Sequence, residues 1–148
     1  KEVKLSDFNS KLIAISFIFS KCPMPNMCPA SVYKNEYLSK NFSKDDIVFL
    51  MISFDYLYDT PLVMKNIYGS QNSDNLIFLS SHKHINDITI LSEQAGVGFW
   101  GVEDNNIGHT MRTVILDGNL KFLKSFDGMD WVPKDAKRDL ENLIKMNQ

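Results

Sequence analysis

Apolar residues fall in short, nearly unbroken runs separated by polar, turn-forming stretches. Residues 12–19 (LIAISFIF) and 47–54 (IVFLMISF) have strand length and lack strict alternation, so both predict strands buried on two faces. Residues 76–79 (LIFL) predict a third strand. Between these runs the period changes. Val32, Tyr33, Tyr37 and Leu38 lie near helical spacing within 30–42, and a second helix is expected over 62–68. That second helix has Thr60 as N-cap, Pro61 in the first turn and Gly69 at its end. A third helix is expected over 85–95, stopped at Gly96. Residues 110–116 and 120–126 flank Asp117-Gly118-Asn119, a hairpin signal, and a last helix runs from about 133 to 146. Residues 4–10 are polar and predict an entry turn or a short edge strand.

This order, strands alternating with helices and then a hairpin and a final helix, predicts a single α/β domain over residues 1–148 with a central mixed β-sheet flanked by helices. Both cysteines, Cys22 and Cys28, sit in the loop between the first strand and its helix, together with Pro23, Pro25 and Pro29. Each proline fixes its own φ and biases the residue before it towards extended backbone, so the loop is stiff. Reactive groups in α/β folds are presented at such a place, and a cysteine-bearing loop there is thioredoxin-like. Helix dipole logic predicts a lowered pKa for Cys28, and for Cys22 with it.

Composition narrows the field. The chain has 148 residues, 44% hydrophobic and 23% charged, with net charge −2, so it can bury a core and offers no basic footprint for nucleic acid. No apolar run approaches the ~20 residues of a membrane span. Two cysteines are too few for a disulfide scaffold but enough for redox or metal chemistry. The chain opens on Lys1 and has no charged-then-apolar leader, and so reads as a trimmed or mature product.

Several stretches together resemble the Sco/SenC family, a copper-binding branch of the thioredoxin-like fold. They are Cys22-Pro23 and Cys28-Pro29 after an apolar strand, Ser53-Phe-Asp55 followed by Asp59-Thr60-Pro61, the strand at 76–79 with its following helix, and His109-Thr-Met-Arg112 leading to Asp117-Gly118. Asp130-Trp131 ahead of the last helix fits as well. The resemblance covers the chain from about residue 11 onward. It implies a metallochaperone that binds copper through Cys22, Cys28 and His109 and assists assembly of the copper centre of cytochrome c oxidase. It further implies a copper-receiving partner such as an oxidase subunit, and an extracytoplasmic, periplasm-facing location with any membrane anchor upstream. The chain departs from the pattern twice. Five residues separate its cysteines where three are usual, and Tyr56 replaces a proline.

Two thiolates and an imidazole form a soft set suited to Cu(I), and a neutral imidazole can also hold Cu(II). The competing reading is a thiol–disulfide oxidoreductase in which Cys22 and Cys28 are the catalytic pair without metal. A histidine at 109 favours copper, whereas the widened spacing weakens that preference. Peroxide reduction is excluded, because Phe19 stands where that chemistry needs a hydroxyl residue. His82 and His84 read as a solvated turn, and Trp100 and Trp131 as core or rim aromatics. Met24 and Met27 read as loop packing or partner-contact surface. Asp55 and Asp59 suit equally an acidic pair near the cysteine loop and a turn with a helix start. Arg112 is a candidate partner for one of them.

Overall fold

Every residue of the strands β1 (Leu12–Ile18) and β2 (Ile47–Ser53) is buried, which is why both runs lack alternation. In the computed structural model, which describes residues 1–147, these strands pair in parallel from Leu12 opposite Ile47 to Ile18 opposite Ser53. The chain enters through a 3₁₀ turn (Leu5–Asp7), the turn alternative for 4–10, and then runs β1, α1 (Cys28–Ser39), β2, α2 (Pro61–Tyr68), β3 (Leu76–Leu79), α3 (Ile85–Ala95), β4 (Phe99–Trp100), β5 (Gly108–His109), β6 (Arg112–Asp117), β7 (Phe122–Asp127) and α4 (Pro133–Met146). The main sheet has the order β3-β2-β1-β6-β7, with β6 antiparallel to β1 and to β7. It is the mixed, helix-flanked sheet of thioredoxin-like proteins. Among the described residues, no helix is long and apolar enough to cross a membrane.

The polar positions of the central strands answer one another. Ser16 Oγ and Thr113 Oγ1 share a hydrogen bond of 2.6 Å across β1 and β6, and Asn35 Nδ2 of α1 donates to Ser16 Oγ at 3.2 Å. Each buried polar atom thereby gains a partner, and α1 is registered against the sheet.

Several boundaries differ from expectation: β6 and β7 each begin two residues later than the expected 110 and 120. Helix α1 starts at Cys28, two residues early, and ends at Ser39 instead of continuing to 42. Asn41 turns back there, its backbone N–H bonding Leu38 O at 2.9 Å and its side chain donating to Tyr37 O at 2.8 Å. The 117–121 hairpin takes its positive φ at Leu120 (65°) and not at Gly118. Leu120 N–H closes a turn on Asp117 O, and Asp117 Oδ1 accepts from Asn119 and Lys121 N–H, which makes a three-residue loop. The ribbon of β4 and β5 was not foreseen. It pairs Phe99 with His109 and Trp100 with Gly108.

Candidate metal centre

The cysteine loop leaves the sheet at the carboxyl end of β1 and re-enters regular structure at Cys28. Its base is held by Asp59, fully buried at the start of α2. Asp59 accepts the Ser20 backbone N–H at 2.9 Å, the Ser20 hydroxyl, and the Ser53 hydroxyl at 2.6 Å. One carboxylate thus ties the loop to the ends of β1 and β2. Charge-assisted bonds of this kind are about twice as strong as neutral ones.

Asp55 does a different job. Its Oδ1 accepts the N–H groups of Leu57 and Tyr58 at 3.3 and 3.0 Å, an Asx turn after β2, while Oδ2 is buried and has no partner among the described residues. Burial pushes its pKa up. The two aspartates are therefore a turn-former and a loop anchor. Arg112 pairs with neither: its Nε meets Asp127 at 2.9 Å and its Nη1 donates to Ala95 O at 3.3 Å. Arg112 leaves β6 beside β7, and Asp127 is its cross-strand neighbour there.

The second wall is the β4–β5 ribbon, which carries His109. Gly108 makes it possible, since the Trp100 indole lies over that residue and an added Cβ would stand 2.5 Å from it. Thr110 closes the ribbon, its N–H bonding Gly98 O at 2.9 Å and its hydroxyl accepting from Gly98 N–H at 3.0 Å. The imidazole packs at a tilt against Phe54 (centroids 4.7 Å apart) and meets Phe19 edge-on at 5.5 Å. Phe54 in turn stacks on Phe99.

These walls bring the three expected residues together. The ligand atoms of Cys22, Cys28 and His109 lie within 4.8 Å of one another, and Cys28 Sγ is 3.4 Å from His109 Nε2. The other ring nitrogen, Nδ1, is 2.9 Å from Thr110 O. A carbonyl can only accept, so Nδ1 carries the proton and Nε2 presents its lone pair to the sulfurs. Burial also lowers the His109 pKa, opposed by that backbone bond, and keeps the ring neutral. Cys22 is half-buried and Cys28 almost wholly buried, and both are free thiols.

The expected lowering at Cys28 does not occur. Burial pushes its pKa well above the ordinary thiol range, with the Phe19 backbone acting against the rise and Cys22 adding to it. Desolvation of a thiolate inside the core outweighs the helix terminus, whose contribution is screened and short-ranged.

The remaining candidates stand apart from the cluster. His82 Nδ1 donates to Tyr56 O at 3.0 Å, and His84 pairs with Asp87, as a turn before α3 requires. Trp131 stacks on Phe126, and Trp100 is exposed at the rim. Tyr56, the departure from proline, is buried and donates its hydroxyl to Glu103, joining the Asp55 turn to the 101–107 loop ahead of His109. Neither that tie nor the ribbon has a local sequence signature beyond Gly108 before the histidine.

A partly buried dithiol–imidazole cluster at the helix-facing end of a thioredoxin-like sheet defines a class of soft-metal or redox protein. The SCO1/SenC family model matches residues 1–145, and the chain belongs to that family. No curated protein matches it. Among solved structures it is similar to a SCO1/SenC family lipoprotein from Bacillus anthracis (24% identity, 93% of this chain and 84% of that one, TM-score 0.77). It is similar also to Arabidopsis thaliana ScoI, solved with copper bound (19%, 95% and 88%, 0.76). A third is BsSco, described as a member of the Sco family of cytochrome c oxidase assembly proteins with a disulfide switch (20%, 99% and 87%, 0.76). At these identities the likeness is one of fold.

Proposed function

We propose that the protein is a copper metallochaperone whose cargo is held by Cys22, Cys28 and His109 within a single Sco-type domain. The observation that carries this reading is the convergence of two sulfurs and one imidazole nitrogen within 4.8 Å, despite the five-residue spacing. The donor set is soft and low-coordinate, which selects Cu(I), and the neutral imidazole allows Cu(II) as well. The recipient is a copper-site protein such as a cytochrome c oxidase subunit. The protein works outside the cytoplasm, tethered to a membrane, in keeping with the lipoprotein and oxidase-assembly relatives.

Cargo loading must displace the Cys28 proton, since burial keeps that thiol protonated near neutral pH. Copper affinity therefore rises with pH, about tenfold per unit for each proton released. His109 adds no competing proton until the solution is more acidic than the ordinary histidine range, because its pKa is lowered.

A second reading has support in the same sulfurs. Two free thiols this close can pass two electrons and two protons to a partner disulfide, closing a Cys22–Cys28 bond. The disulfide form has no thiolates left for the metal, so oxidation acts as release. The test is metal uptake by the fully reduced and fully oxidised protein between pH 6 and 8. One copper per reduced chain, with none on the disulfide form, is expected. Copper retained by a verified disulfide form contradicts the ligand set.

A further inference from the structure

A groove of about 320 Å³ lies beside the histidine wall, between the end of α3 and the β4–β5 ribbon, and is large enough for a small organic group. Tyr56, Phe99 and Trp100 give it aromatic sides, and Glu93 and Glu103 give it carboxylates. No lysine, arginine or histidine lines it, although the chain has 16 lysines and arginines. Contacts within the fold set its shape. Phe99 stacks on Phe54 with centroids 5.3 Å apart and meets the Tyr56 ring edge-on at 6.5 Å. The Tyr56 hydroxyl donates to Glu103, which holds that carboxylate at the edge of the same aromatic pair. The Trp100 indole overhangs Gly98 and Gly108, where an added Cβ would stand 3.9 Å from Cζ3 and 2.5 Å from Cε2 respectively. Trp100 is nonetheless 58% exposed.

Glu93 stands exposed on the last turn of α3, and no ion pair among the described residues involves it. The groove therefore carries uncompensated negative charge, to which the ring faces add their own negative quadrupole. A hydrated metal ion would use the carboxylates and gain little from the rings. A guanidinium uses both, since its plane stacks on an aromatic ring while its fork of N–H donors meets a carboxylate. An ammonium is a compact, strongly hydrated charge and exploits the rings less well. Glu93, Trp100 and Glu103 are all exposed, so the groove is open along one side. A free cation would stay half in water there, whereas an arginine borne on a docked chain brings its own cover.

We propose that this groove receives an arginine side chain of a partner protein, its guanidinium against the Trp100 indole and paired with Glu93 and Glu103. Phe99 is shared between the groove and the ring stack behind His109, so the partner docks on the ribbon that carries the histidine. The docking does not depend on copper at the cysteine–histidine cluster.

The test titrates the whole reduced, ¹⁵N-labelled chain with a capped Gly-Ser-Arg-Ser-Gly peptide and follows the two indole N–H signals. The Trp100 signal should move saturably, while that of Trp131, which lies under Lys34 on another face, should stay in place. The same peptide with citrulline, which keeps the shape and loses the charge, should leave both signals unmoved. Glu93→Gln should weaken binding about two- to fivefold, the worth of an exposed ion pair. An unmoved Trp100 signal, an equal response to the citrulline peptide, or unchanged affinity in Glu93→Gln would overturn the arginine groove. Binding of n-butylguanidinium as tight as that of the peptide would make the ligand a free cation and overturn the partner side chain. The wild-type titrations need no variant, so a folding defect in Glu93→Gln does not blunt them. They are read without metal, so failure of the copper site leaves their outcome unchanged.

Discussion

The two walls of the metal centre are built on opposite principles. The cysteine wall is a short, proline-stiffened loop between a buried strand and a helix, with its base bonded to the Asp59 carboxylate. The histidine wall is a two-residue ribbon held by ring packing, Gly108 under Trp100, and the Thr110 clamp. A buried carboxylate with three directed hydrogen bonds holds the first, and aromatic contacts with one backbone clamp at Thr110 hold the second. The cysteine wall should therefore fail by losing a ligand or its anchor, and the histidine wall by losing alignment.

The largest effect falls on the buried thiol. Cys28→Ser should lower Cu(I) affinity by at least about 100-fold, beyond the 10- to 100-fold typical of losing a residue that only supports a ligand. Competition against a chromogenic Cu(I) chelator measures it. An affinity within a few-fold of wild type would remove Cys28 from the set. His109→Ala should cost less for Cu(I), about tenfold or more, and should abolish the nitrogen contribution to a Cu(II) spectrum. Retention of that spectrum would place the nitrogen donor elsewhere.

Asp59→Asn tests the anchor. It leaves the ligands in place but turns one acceptor oxygen into a donor facing Ser20 and Ser53, and should cost about 2–3 kcal/mol in denaturant unfolding. Unchanged stability would mean that the loop is held by its prolines alone. The smallest effect is expected at Tyr56→Phe, which loses one hydroxyl bond to Glu103, about 1 kcal/mol. Its signature is a change in the His109 ring signals without any change at the cysteines. Equal disturbance of both walls would deny the separation drawn between them.

The same contrast explains what could be read from the chain. β1 and β2 were legible because burial on two faces writes a continuous apolar run. β3 was legible as a short apolar run although only Leu76 in it is fully buried. The helices were legible because caps such as Thr60-Pro61 and Gly96 are local. The cysteine loop was legible for the same reason. His109 was not, for a histidine between a glycine and a threonine has no local mark of a ligand, and only the family resemblance pointed to it. Asp59 could be read as a helix-start residue or as part of an acidic pair, and only the fold brings Ser20 and Ser53 to it. The pKa of Cys28 was misjudged since the helix terminus is visible in sequence and the depth of burial is not. Arg112 was a candidate partner for Asp55 or Asp59 in the turn after β2, whereas cross-strand register pairs it with Asp127.

The most direct test of a three-ligand centre is X-ray absorption at the copper edge on reduced protein loaded with one equivalent of Cu(I). Two sulfur donors and one imidazole nitrogen, with the nitrogen scattering lost in His109→Ala, are expected from Cys22, Cys28 and His109. A first shell with a single sulfur, or an unchanged nitrogen signal in that variant, would contradict the centre described here.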